Sequence, residues 1–255
     1  MIAIFDSGLG GLSVLARVRE ALPLQDVVYL ADQARVPYGD RGLEEIHAYA
    51  VENFAFLERM GGDLIVVGCN TSCAAAQLYG WPTGLPLLDL FDAAGEAVAA
   101  AGVGEAVVLA TAATVRSGGY ARSITRNAPQ VRVREVAAPE LVPLVEAGES
   151  GSPRAFAAVS RIVRPLGGVE SIVYGCTHYP FLERHLRTLL PATRFIDPAE
   201  QQARNAAQAV RGLGLRDEAG EVRLYTTGDP EAFRRGVEAL VGPIGAVARA
   251  PLAGV

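Results

Sequence analysis

The feature that most constrains this chain is a design written twice: a short apolar run, a glycine, a cysteine, then small polar residues. Residues 64–72 read LIVVGCNTS, and residues 171–182 read SIVYGCTHYPFL. Each apolar run has the length and the β-branched content of a buried strand, and the glycine ends it where the cysteine begins. In a sheet of such strands the cysteines fall at strand C-terminal ends, where open α/β folds gather their reactive groups. Two thiols in equivalent places suggest one site with two halves.

The rest of the chain alternates in the same manner. Apolar runs at residues 2–5, 27–31, 85–88, 106–109 and 131–136 read as further strands. Residues 43–60 place Ile46, Tyr49, Ala50, Phe54 and Leu57 at helical spacing, with Gly61-Gly62 as the stop. Helices are also expected over residues 70–78 and 115–125. Ser152-Pro153, Asp197-Pro198 and Asp229-Pro230 each pair an N-cap residue with proline at the first helical position. The last of these opens a helix with Phe233, Val237 and Leu240 on one face. Strict alternation predicts an α/β fold with mainly parallel sheets and helices on both faces. The likeness between the halves predicts two pseudo-symmetric lobes with the active site in the cleft between them. Residues 1–91 with 199–255 are expected to form a discontinuous first lobe, and residues 92–198 the second.

Composition narrows the function. Half of the 255 residues are apolar, enough for a sizeable core. A net charge of −5 with scattered arginines offers no basic stripe, so neither nucleic acid nor an anionic membrane is an expected partner. The N-terminal residues read directly as a strand rather than an export signal, and no uncharged run is long enough to cross a bilayer. A cytoplasmic location is expected. Three cysteines, Cys69, Cys73 and Cys176, argue against a disulfide framework, and they lack a second closely spaced pair for zinc. No metal is expected. All 23 basic residues are arginine, which excludes a Schiff-base lysine for pyridoxal phosphate and a P-loop lysine. Gly8-Leu9-Gly10-Gly11 invites a dinucleotide-binding reading, but Ser13 stands where the third glycine or alanine belongs. The glycines are expected instead to let the backbone approach a small carboxylate at a helix N-terminus.

A free thiol has a pKa of about 8.5, which a helix N-terminus or a nearby cation lowers. If one cysteine is thiolate and the other thiol, the first can remove a proton from one face of a tetrahedral carbon while the second delivers one to the opposite face. The result is inversion. The site must then stabilise a developing carbanion through close positioning and fixed donors.

FDSGLGGL from Phe5, ARVPYG from Ala34, GCNTS from Gly68, LVPLVEAG from Leu141, GCTHYPFL from Gly175 and YTTGDPEAF from Tyr225 together resemble the cofactor-independent aspartate/glutamate racemase family, its glutamate racemases above all. The resemblance spans almost the whole chain. It implies interconversion of L- and D-glutamate without a cofactor, D-glutamate destined for peptidoglycan, two pseudo-symmetric α/β lobes, and a homodimer. Carried over by position, Cys69 and Cys176 match the two acid/base cysteines, and Asp6, Glu146 and His178 match residues that assist proton transfer. Ser7, Pro37, Tyr38, Gly39, Asn70, Thr71, Thr111, Thr114 and Thr177 match positions that hold the substrate. Residues 89–95 depart from the family's pattern, and they keep an aspartate or hydantoin racemase in view. Two further alternatives are a binding or regulatory protein that has lost turnover and a dithiol redox protein. Outside the motifs, Cys73 reads as a small helix residue one turn past Cys69, and His47 and His185 as helix-surface residues. Asp6 and Asp32 read equally well as caps of the segments that follow them, and the threonines at 111 and 114 as ordinary caps.

Overall fold

The computed structural model describes residues 1–215 and 219–252; residues 216–218 and 253–255 of the expected first lobe lie outside the described residues. The chain opens with β1 (Ile2–Asp6), α1 (Leu12–Ala21), β2 (Val27–Ala31), α2 (Leu43–Arg59), β3 (Leu64–Val67), α3 (Asn70–Tyr79), the short β4 (Leu87–Leu88) and α4 (Leu90–Ala101). It continues through β5 (Glu105–Ala110), α5 (Ala112–Ser117), α6 (Gly119–Asn127), β6 (Arg132–Ala137), α7 (Leu141–Glu146), α8 (Pro153–Val163), β7 (Ser171–Gly175), α9 (Glu183–Leu189) and β8 (Arg194–Ile196). It closes with α10 (Pro198–Gly212), β9 (Val222–Thr226), α11 (Pro230–Val241) and β10 (Ala246–Arg249).

The strands form two sheets, ordered β10-β9-β2-β1-β3-β4 and β6-β5-β7-β8. Every described pairing is parallel. Within the first sheet the run β2-β1-β3-β4 has the same order as β6-β5-β7-β8, so the two halves share one topology. β1, β2, β3 and β7 are buried along their whole length, as parallel strands covered on both faces must be. Each fully buried Val, Ile or Leu on them contributes about 1.5–3 kcal/mol through area removed from water. In both halves the second strand pairs on one side of the first and the third strand on the other. That reversal opens a crevice beyond the carboxyl ends of β1 and β3, and an equivalent one beyond β5 and β7.

The expected caps are formed: the side chains of Ser152, Asp197 and Asp229 accept from Ala155 N, Ala199 N and Ala232 N. Two expectations are corrected. The single helix over residues 115–125 is two helices, because Gly118 adopts φ +62° and turns the chain between α5 and α6. His185 is not a surface residue; it is buried, its Nε2 pairs with the Ser150 carbonyl at 2.8 Å, and Phe156 packs edge-on against its ring. Pro143 sits in the first turn of α7, where its missing N–H has no intrahelical partner to lose.

Candidate active site

Both crevices open into one cleft, with about 520 Å³ of space between its walls, the open mouth included. From the first sheet come Asp6 at the end of β1, Ser7 next to it, and Cys69, Asn70 and Thr71 after β3; from the second come Thr111 after β5 and Cys176, Thr177 and His178 after β7. Pro37, Tyr38 and Gly39 close a side of it from the loop after β2, which carries a cis Val36–Pro37 peptide. Cys69 is the N-cap of α3, so its sulfur and the free N–H groups of Asn70 and Thr71 share the positive end of that helix. The halves meet directly where the Thr71 and Thr111 hydroxyls stand 3.3 Å apart.

Two expected residues stand behind the cleft wall. Thr114 is fully buried and places its hydroxyl 3.0 Å from that of Thr111, which also caps α5 by accepting from Thr114 N. Glu146 lies at the end of α7, and its Oε1 is 2.6 Å from His178 Nε2. The opposite ring nitrogen, Nδ1, is 3.6 Å from Cys176 Sγ, so carboxylate, imidazole and sulfur form one chain leading to the cleft. Glu146 also accepts from Leu9 N at 2.7 Å and from Gln33 Nε2 at 3.3 Å, which ties the turn after β1 to the second half. That contact explains the glycines. A Cβ on Gly8 would stand 2.2 Å from Glu146 Oε1, and one on Gly10 would stand 2.4 Å from His178 Nδ1. The close approach read from the sequence is therefore made to the protein's own Glu146 and His178.

Asp6 does not cap α1, whose N-cap is Gly11; its Oδ2 accepts from Gly8 N at 2.9 Å. It is 1% exposed, and burial lifts its pKa to about 6 against the opposing pull of His178 and of two backbone N–H groups. Burial, then the Asp6 charge, pushes the Cys69 thiol up to about 12, against hydrogen bonds from Ser72 and Ser7. Burial also works against a charged His178, but the hydrogen bonds and charges of Cys176 and Glu146 outweigh it and hold His178 well above the ordinary imidazole range. Glu146 is desolvated too, yet His178, Leu9 N–H and Gln33 keep it below the usual carboxylate range. The arrangement is thus a protonated thiol beside a carboxyl on one wall and a sulfur beside an imidazolium–carboxylate pair on the other.

Val36, Asp40, Pro139, Val142 and Pro143 also line the cleft and were not singled out from sequence. Val36, Val142 and Pro143 lie inside the motifs ARVPYG and LVPLVEAG, so the signal was present, but an apolar wall has no chemistry to mark it. Asp32 does stand at the N-cap position of the turn at residues 33–35, but its side chain makes no cap hydrogen bond. It is fully buried, and its carboxylate takes hydrogen bonds from Tyr38 Oη, Asn53 Nδ2 (3.0 Å), Thr227 Oγ1 (2.8 Å) and Arg35 Nε (2.8 Å). Cys73 is buried on α3 and absent from the cleft wall; His47 is half-buried against Tyr79. Among the described residues no group of three or more His, Cys, Asp or Glu could hold a metal ion, and no helix is long and apolar enough to cross a membrane.

The chain was then compared with known proteins. The Asp/Glu/Hydantoin racemase family matches residues 12–206. The glutamate racemase of Desulforudis audaxviator is 39% identical over 247 residues, 91% of this chain and 90% of that protein. The glutamate racemase of Deinococcus radiodurans is 42% identical over 242 residues, 91% of this chain and 83% of that protein. The crystal structure of Thermus thermophilus glutamate racemase in complex with β-chloro-D-alanine superposes with a TM-score of 0.85 at 36% identity, covering 98% of this chain and 96% of the other. The matched span carries seven of the ten described strands, both Gly-Cys turns and every residue of the cleft wall but Asp6 and Ser7, and on that ground this chain belongs to the Asp/Glu/Hydantoin racemase family.

Proposed function

We propose that this chain is a glutamate racemase that needs no pyridoxal phosphate and inverts Cα by two-base proton transfer, one of Cys176 and Cys69 removing the Cα proton and the other delivering its own. The observation that carries the proposal is the pairing of the thiols. They stand at topologically equivalent strand ends, open into one cleft, and each has its own acid/base partner, Asp6 beside Cys69 and His178–Glu146 beside Cys176. In the resting site Cys69 holds its proton, so it serves as the acid for one enantiomer. Cys176 as thiolate takes the Cα proton: the C–H bond breaks, an S–H bond forms, and the electron pair stays on carbon. Cys69 then gives its proton to the opposite face and becomes the thiolate that starts the reverse reaction. The His178 imidazolium is the counter-ion that a thiolate at Cys176 needs, and Asp6 is the group through which Cys69 can exchange its proton with solvent.

Ser7, Tyr38, Gly39, Asn70, Thr71, Thr111 and Thr177 supply hydroxyl, amide and backbone groups for the amino and carboxylate ends of the substrate, with Pro37 shaping the loop and Thr114 holding Thr111 in place. The free N–H groups of α3 and the donors around them stabilise charge as it develops at Cα. The lobes are residues 1–91 with 199–255 and residues 92–198, and the product D-glutamate feeds peptidoglycan from a cytoplasmic homodimer. Racemisation of L- and D-glutamate in deuterated buffer, followed by NMR and polarimetry, tests this reading. Wild type should lose optical activity and incorporate deuterium at Cα without added cofactor, and Cys69→Ser and Cys176→Ser should each lose at least about a thousandfold in racemisation. Racemisation of aspartate but not glutamate would sink the substrate assignment; exchange by both serine variants at wild-type rates would sink the two-thiol mechanism.

A further inference from the structure

Asn70 is 4% exposed and lines the cleft, yet its amide nitrogen Nδ2 is buried and has no hydrogen-bond partner among the described residues. Its other end is held. Asn70 Oδ1 accepts a short hydrogen bond from the hydroxyl of Tyr120, a fully buried residue at the start of α6 in the opposite half. The other acceptor near that hydroxyl, the Tyr174 carbonyl, is 3.4 Å away, too long to compete for its single proton. Burial raises the Tyr120 phenol well above its ordinary range, so it remains a donor at any working pH.

We infer that Tyr120 is a positioning residue: by binding Asn70 Oδ1 it fixes the amide so that Nδ2 is presented to a carboxylate of the substrate. An asparagine amide turned by half a rotation would offer an oxygen to that carboxylate and repel it, and the two orientations differ little in shape. The hydroxyl of Tyr120 breaks the tie. The ring is itself fixed, because Phe91 packs edge-on against it with centroids 4.8 Å apart, and a Cβ on the neighbouring Gly119 would stand 2.3 Å from the Phe91 ring. Phe91 lies in the first turn of α4. Its N-cap, Asp89, accepts from Phe91 N and Asp92 N and so anchors the residue that holds Tyr120. A line of contacts therefore runs from α4 to the cleft through Phe91, Tyr120 and Asn70.

This inference rests on the amino-acid racemase reading of the cleft. Its test is Tyr120→Phe, which keeps the ring and its contact with Phe91, compared with wild type, Asn70→Ala and the double variant on L- and D-glutamate. The expected result is a KM raised about fivefold or more with kcat changed far less, because ground-state and transition-state binding lose the same contact. In the Asn70→Ala background the same substitution should leave KM unchanged, since nothing remains for the hydroxyl to orient. If Tyr120→Phe does not fold, Phe91→Leu keeps the hydroxyl but frees the ring; it should raise KM by a smaller factor, again only when Asn70 is present. A KM unchanged in Tyr120→Phe, or raised equally with and without Asn70, overturns the inference while an active wild type leaves the racemase reading standing. A wild type inert on glutamate and aspartate overturns both.

Discussion

Replacing Asp6 with asparagine should make this protein more stable and less active, and the gain in stability should depend on pH. Asp6 is 1% exposed, and its pKa is about 6 in the folded protein; an unfolded aspartate titrates near about 3.9. Because the folded value is the higher one, the folded state binds the proton more tightly. The carboxyl's contribution is fully present below about pH 4 and is lost as pH rises through about 6. A difference of about two units corresponds to roughly 3 kcal/mol of destabilisation at pH 8. Asparagine removes that cost and loses about 1 kcal/mol of hydrogen bonding from the Gly11 and Gly8 N–H groups that favour the carboxylate. The net expectation is about 2 kcal/mol of added stability at pH 8, a rise of about 4–8 °C in Tm for a chain this size. At pH 4 the carboxyl is neutral in the folded protein, and the gain should vanish or reverse. Thermal melts of wild type and Asp6→Asn by circular dichroism at the two pH values measure this directly. In parallel, kcat/KM should fall about a hundredfold as Cys69 loses its proton-exchange partner. A variant destabilised equally at pH 4 and pH 8 would refute the argument, because it would mean that the carboxylate is well solvated or well paired in place.

Glu146→Gln removes the anion 2.6 Å from His178, so the imidazolium loses a stabilising partner and its pKa falls. The limb of the kcat/KM–pH profile that needs protonated His178 should move to lower pH; a profile reduced in height but unmoved would show that Glu146 acts only through its bonds to Leu9 and Gln33. Asp32→Ala leaves Arg35, Tyr38, Asn53 and Thr227 without their common buried acceptor. It should cost about 3–5 kcal/mol, lower Tm by about 10 °C or more, and raise KM by freeing the Tyr38 side of the cleft. An unchanged melting temperature would show that water replaces the carboxylate at no cost.

The elements of this fold were legible because their signals are local. Apolar runs, Ser-Pro and Asp-Pro caps, and glycines at strand ends act within a few residues, so β1, β2, β3 and α2 lie where periodicity puts them. The Gly-Cys repeat is legible for the same reason, and it pointed to both walls of the cleft. What the tertiary structure decided are contacts between residues far apart in the chain. Glu146 is unremarkable on its short helix until the fold sets it against His178 and Leu9. Asp32 and Asp6, alike as residues following strand-forming runs, part ways because one collects four side-chain donors, an arginine among them, while for the other desolvation outweighs two backbone N–H groups and the pull of His178. Tyr120 carries no motif at all; its relation to Asn70 arises only where α6 of one half meets α3 of the other. Local preference fixes which segments are strands and helices and which residues cap them. Charge, proton affinity and the aim of a donor depend on solvation and on partners brought together by packing, and those are properties of the assembled structure.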